Sequence, residues 1–131
     1  MTAHDSPTRT ATHGVDVEIP HQVDKPWGHE IIWALTDRYC GKVLHVEAGE
    51  ALSLQYHERK DETLYLLRGV AEIESGPLGG ELTAVRAEAG WALHVTARTV
   101  HRLRAVETCD FLEVSTPDLD DVVRLEDRYG R

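Results

Sequence analysis

Cysteine is nearly absent from this chain of 131 residues. Only Cys40 and Cys109 occur, far apart and forming no CxxC pair, which points to two reduced thiols in a cytosolic protein. Positive charge is also in deficit: 14 Lys and Arg stand against 23 Asp and Glu, and a net charge of −9 disfavours nucleic acid or an anionic membrane surface as partner. A small phosphorylated substrate is not excluded, because a few local cations make a phosphate site inside an acidic protein. No apolar run at the N-terminus suits a signal peptide and no stretch approaches a membrane span, so a cytoplasmic protein is expected. No long helical pattern precedes the tail. The glycines of Gly76-Pro77-Leu78-Gly79-Gly80 do not link a buried strand to a helix, so they read as a turn and not as a phosphate-binding loop.

What remains is a chain of short strands. Its length allows one domain with a working core and is too short for two. Residues 1–21 read as a flexible arm, with His4 and His13 as solvated histidines, and residues 22–131 as the domain. From Val15 to Pro26 the pattern suits an extended arm or edge strand. Strands are expected at 29–35, 41–47, 53–57, 62–67, 70–75, 81–87, 91–95, 101–106 and 109–114, and the tail from Leu119 to Tyr129 has room for one helical turn. Short strands separated by turns give an all-β double-sheet jelly roll.

One stretch concentrates the chemistry. Between Gly49 and Gly69, alternation along the first strand puts Ser53, Gln55 and His57 on one face, and a turn at Glu58-Arg59-Lys60-Asp61 returns Glu62 beside them. His101, beyond Gly90, is the fourth expected ligand. Amide oxygen, imidazole and carboxylate suit one divalent ion of the zinc, cobalt, manganese, nickel or iron group. Taken singly, His29, His45 and His94 read as structural or exposed. The same alternation puts Leu52, Leu54 and Tyr56, and Thr63, Tyr65 and Leu67, on outer faces that need cover. A homodimer is expected from this.

The Gly49–Gly69 stretch and the later Gly90…His101 stretch resemble the two motifs of the cupin family. Gln55 stands where most cupins have a His, and Thr96, Arg98 and Ala105 replace the usual Pro, Gly and Asn. A narrower resemblance covers roughly residues 22–131. Lys25-Pro26-Trp27-Gly28, Leu52-Ser53-Leu54-Gln55-Tyr56-His57 and the tail from Asp120 to Arg131 are similar to the cupin domain of type II mannose-6-phosphate isomerases. The larger enzymes of that type carry a nucleotidyltransferase domain ahead of the cupin, so no guanylyltransferase activity is expected of this chain.

The resemblance implies a metal-dependent isomerase interconverting mannose 6-phosphate and fructose 6-phosphate through an enediol. Lys60 lies at or next to a position where type II isomerases have an Arg, with Arg59 its neighbour; either could hold phosphate or assist proton transfer. Arg102 and Arg124 match family arginines that could bind phosphate, although alternation turns Arg102 away from His101. Glu113 fits a family Glu-Val step as general base or as buried structural carboxylate. Thr63-Leu64 replaces the His and Trp that follow the Glu ligand in those enzymes, so the pocket could accept another sugar. A dioxygenase with iron and a non-catalytic, sugar-sensing cupin remain as alternatives.

Overall fold

The computed structural model describes residues 14–131; His4, His13 and most of the expected arm lie outside them. The described chain is all β, in eleven strands and two antiparallel sheets. The first six are β1 (His21–Lys25), β2 (Gly28–Leu35), β3 (Cys40–Val46), β4 (Leu54–Tyr56), β5 (Glu62–Arg68) and β6 (Val70–Pro77). They are followed by β7 (Thr83–Glu88), β8 (Ala92–Val95), β9 (Thr99–Ala105), β10 (Cys109–Ser115) and β11 (Val123–Glu126). One sheet runs β1-β2-β3-β10-β5-β8 and the other β11-β4-β9-β6-β7, the jelly roll that the strand spacing implied.

Register sorts each inner face into an apolar and a polar end. Glu30, Leu44, Phe111 and Leu66 lie side by side across four strands, and the next rows bring Lys42 beside Glu113 and Ser115 beside Glu62. Leu44, Val46, Leu64, Leu66 and Phe111 bury against Ala71, Ile73, Leu103 and Ala105 of the opposite sheet. Alanines at 71 and 105, set among larger residues, let the sheets close over the core. The polar ends then face each other across an open space.

Glycine is required where strands nearly touch. Gly69 ends the first motif with φ 97°, and a Cβ there would lie 2.3 Å from the Thr108 carbonyl. At Gly28 (φ 151°) a Cβ would lie 2.0 Å from the His45 carbonyl, so any larger residue would push β2 off β3.

The tail departs from expectation. It forms β11, paired with β4, and no helical turn. Val122 and Val123 are β-branched, and β4 would otherwise be an open edge, so pairing satisfies both. Leu52 is not outward but packs on the core, because the regular strand starts only at Leu54; Leu54, which alternates with the cavity-lining Gln55, is buried. The outer face of the five-stranded sheet is charged, with Arg102 on Glu74 and Arg104 on Glu72, and needs no cover. Cys40 and Cys109 are buried free thiols. No helix of the described residues is long and apolar enough to cross a membrane.

Candidate metal centre

Three side chains from three strand ends converge where the sheets' polar ends meet. His57, just past β4, Glu62 at the start of β5 and His101 on β9 are all buried, and one ligand atom of each lies within 4.8 Å of the other two. Gln55 is the cross-strand partner of His101 and lines the same cavity, its Oε1 accepting the Ser53 hydroxyl at 2.6 Å.

Each histidine is oriented through its other nitrogen. His57 Nδ1 lies 2.6 Å from the Asp121 carbonyl and His101 Nδ1 2.9 Å from the Thr99 carbonyl. A carbonyl can only accept, so both rings carry a proton on Nδ1 and leave Nε2 as the atom for a ligand. His57 Nε2 and Glu62 Oε2 then lie 2.7 Å apart, buried, and neither has a hydrogen-bond partner. Either a proton on Nε2 or a shared cation would hold this pair, and nitrogen, nitrogen and carboxylate oxygen are the donors a first-row divalent ion takes. The residues present therefore fit a metal.

The charge state agrees. Burial works to raise the Glu62 pKa, but His57, Lys60 and His101 outweigh it and hold the carboxyl down at about 2. Burial lowers His101, which favours the neutral, metal-binding ring.

Lys60 closes one side. Its ammonium lies 3.1 Å from Glu113 Oε2 and 3.7 Å from Glu62, all three residues buried, and the Ser115 hydroxyl donates to the same Glu113 oxygen at 2.9 Å. Burial pulls the Lys60 pKa down, yet Glu113 and Glu62 more than reverse this, so it stays charged. Together these groups line a cavity of about 450 Å³, within the roughly 300–1,000 Å³ usual for small-molecule sites.

The remaining expected residues divide. Arg124 lines the cavity, opposite Gln55 on the neighbouring strand, and no carboxylate pairs with it among the described residues. Arg102 is a lining residue too, but its guanidinium is taken by Glu74 at 3.0 Å and Glu126 at 3.4 Å. Arg59 does not line the cavity; its side chain is 72% exposed, on the outside of the turn, 3.8 Å from Asp118. Its neighbour Lys60 takes the inward place.

Residues that sequence reasoning passed over complete the walls. Lys25, Lys42 and Arg131 add cations, and Glu30 lies 3.5 Å from Lys42 and 3.8 Å from Lys25. Burial lowers the Lys25 pKa, and Lys42, Arg131 and Arg124 lower it further, so one end of the cavity gathers like charges. Asp121 enters from the tail. Burial acts to raise its pKa, but the amides of Glu58, Arg59 and Lys60 hold it at about 2. The tail's similarity to a known family pointed at this segment without showing what it does. His29, His45 and His94 lie outside the cavity, as their single readings implied.

A family profile described as "Mannose-6-phosphate isomerase C-terminal" matches residues 13–127. Mannose-1-phosphate guanylyltransferase of Escherichia coli (strain K12) is 30% identical over 118 residues, covering 86% of this chain and 24% of that protein. The chain thus spans about a quarter of the length of this curated relative. Among solved structures, KdgF from Halomonas sp. matches with a TM-score of 0.64 and 24% identity, over 74% of this chain and 86% of that one. Oxalate decarboxylase from Bacillus subtilis matches with a TM-score of 0.72 and 16% identity, over 81% and 30%. At these identities the two structures share the fold.

Proposed function

Because the chain belongs to the mannose-6-phosphate isomerase C-terminal family, a family of cupins, we propose that it interconverts mannose 6-phosphate and fructose 6-phosphate with the help of a divalent metal ion. One observation carries the reading: three buried metal donors share a cavity with a buried Lys–Glu pair and an arginine that no carboxylate pairs with among the described residues.

An ion held by Gln55, His57, Glu62 and His101 would polarise the sugar carbonyl and stabilise the charge that develops on its oxygen. The reaction moves one proton from C2 to C1 and one from O2 to O1, with no net gain or loss of atoms. Glu113 is the acceptor for the carbon-bound proton and returns it to the neighbouring carbon. Lys60 stays protonated between Glu113 and Glu62 and holds the base in place. Arg124 binds the phosphate at the cationic end, where Lys25 and Arg131 also line the cavity, each paired with a carboxylate of its own, Glu30 and Asp127. Arg102 and Arg59 have no part in this, one being committed to Glu74 and Glu126 and the other facing away.

The test is turnover of mannose 6-phosphate by protein stripped of metal and reloaded in turn with zinc, cobalt, manganese, nickel or iron(II). Activity should require metal and vanish in His57→Ala. Glu113→Gln should lose roughly 10²- to 10⁴-fold in kcat, whereas Arg124→Ala should chiefly raise KM. Absence of turnover in folded, loaded protein would reject this substrate. Sugar-phosphate binding without turnover would establish a sensing role instead.

A further inference from the structure

One tail residue holds the whole ligand-bearing turn. Asp121 Oδ1 accepts the Glu58 amide at 3.0 Å, and its Oδ2 accepts the amides of Arg59 at 2.7 Å and Lys60 at 2.9 Å. Its carbonyl lies 2.6 Å from His57 Nδ1. Four consecutive residues, His57 to Lys60, therefore close on a single residue 61 to 64 positions later. They include a metal donor at one end and the ammonium beside Glu113 at the other.

We infer that Asp121 is the positioning residue of this centre: its carboxylate fixes the turn, and its carbonyl keeps His57 in the tautomer that aims Nε2 at the ion and leaves Lys60 against Glu113. This rests on the metal-binding reading above. The rival account is that Asp121 merely fastens the tail, but the tail has other fastenings. β11 pairs with β4, the Tyr129 hydroxyl bonds Glu50, and Arg128 bonds the Gly49 carbonyl at 2.6 Å. Loss of the Asp121 carboxylate should therefore leave the fold standing and act on the turn. Outer groups that orient metal ligands change metal affinity by about 10- to 100-fold when removed, and the Asp121 carboxylate is such a group for the turn that carries His57.

The experiment uses the full chain as wild type, Asp121→Ala and Asp121→Asn. Cobalt and zinc affinities are measured by competition with a chromophoric chelator, and ¹⁵N spectra of the metal-free proteins report the His57 tautomer. Asp121→Ala should bind roughly 10- to 100-fold more weakly; it keeps the main-chain carbonyl, so a change in the His57 tautomer would report that the freed turn has carried His57 off that carbonyl. Asp121→Asn turns an amide NH₂ toward at least one backbone N–H, so it should be weakened in the same direction. Wild-type metal affinity in Asp121→Ala would overturn the inference. If that variant does not fold, the same result in Asp121→Asn would overturn it. Should the wild type bind neither ion, the metal reading fails, and the tautomer spectra alone decide whether Asp121 positions His57.

Discussion

Arg98 is the one non-glycine residue with positive φ among those described, at 66°. It stands where the resembling motif has glycine, and the backbone is left-handed there although the residue carries a Cβ. The conformation is kept because the Arg98 amide donates to the His57 carbonyl at 2.7 Å, a bond that helps hold the ligand turn. Its guanidinium adds a 2.7 Å pair with Glu58, exposed and worth little. Two variants isolate the backbone cost, because Arg98→Ala and Arg98→Gly lose the same pair but only glycine removes the Cβ. The left-handed form costs an ordinary residue about 1–2 kcal/mol, and glycine's extra chain entropy returns part of this. Urea unfolding should therefore find Arg98→Gly more stable than Arg98→Ala by about 0.5–1 kcal/mol. Equal stabilities would mean that the segment relaxes without cost.

Among the elements, those that the sequence announced are the ones whose geometry is local. Gln55, His57 and Glu62 could be placed together because alternation and one turn bring them together within a few residues. β11 could not, since nothing in Val123–Glu126 names β4 as its partner and the pairing spans the chain. Asp121 was hidden for the same reason: its bonds go to main-chain atoms, which carry no side-chain signature. The β3–β10 pair shows a third case, a polar cluster whose parts look ordinary singly. His45 bonds Asp110 at 2.6 Å and Glu47 at 3.0 Å, stacks on His29 at 4.7 Å, and shares Asp110 with Arg68. The Asp110 bond raises the His45 pKa above 6.5, against the opposing effect of burial and with the support of Glu47. The folded state thus holds this proton more tightly than the unfolded chain. Its contribution is complete below the unfolded value of 6.5 and is lost as pH rises through the folded value. Wild type should therefore lose part of its thermal-midpoint advantage over His45→Gln between pH 5.5 and 8.5. A difference between the two that is flat across this range would show that the His45 proton contributes nothing.

For the molecule as a whole, the two sheets differ in what they show to water. The five-stranded sheet presents ion-paired rows, whereas the six-stranded sheet presents Ile31, Val43, Leu112, Tyr65 and Ala92 side by side across five strands. Beside this row, Trp33, Leu67 and Val114 are each about half exposed. A continuous apolar band on the flat outer face of a sheet is a surface that a monomer seldom leaves wet. A second copy of the same face is the simplest cover, because a two-fold contact needs only self-complementarity. Light scattering behind size exclusion should then give twice the chain mass. Val114→Lys, which puts a charge in the middle of the band without touching the cavity, should shift the population to monomer. Because the ligand turn and the tail lie at the opposite face of the β10 strand, that monomer should keep its metal affinity. A wild type that stays monomeric at high concentration would sink the dimer and leave the band to some other partner. A monomeric variant that also loses metal would show that the two faces of the sheet are coupled.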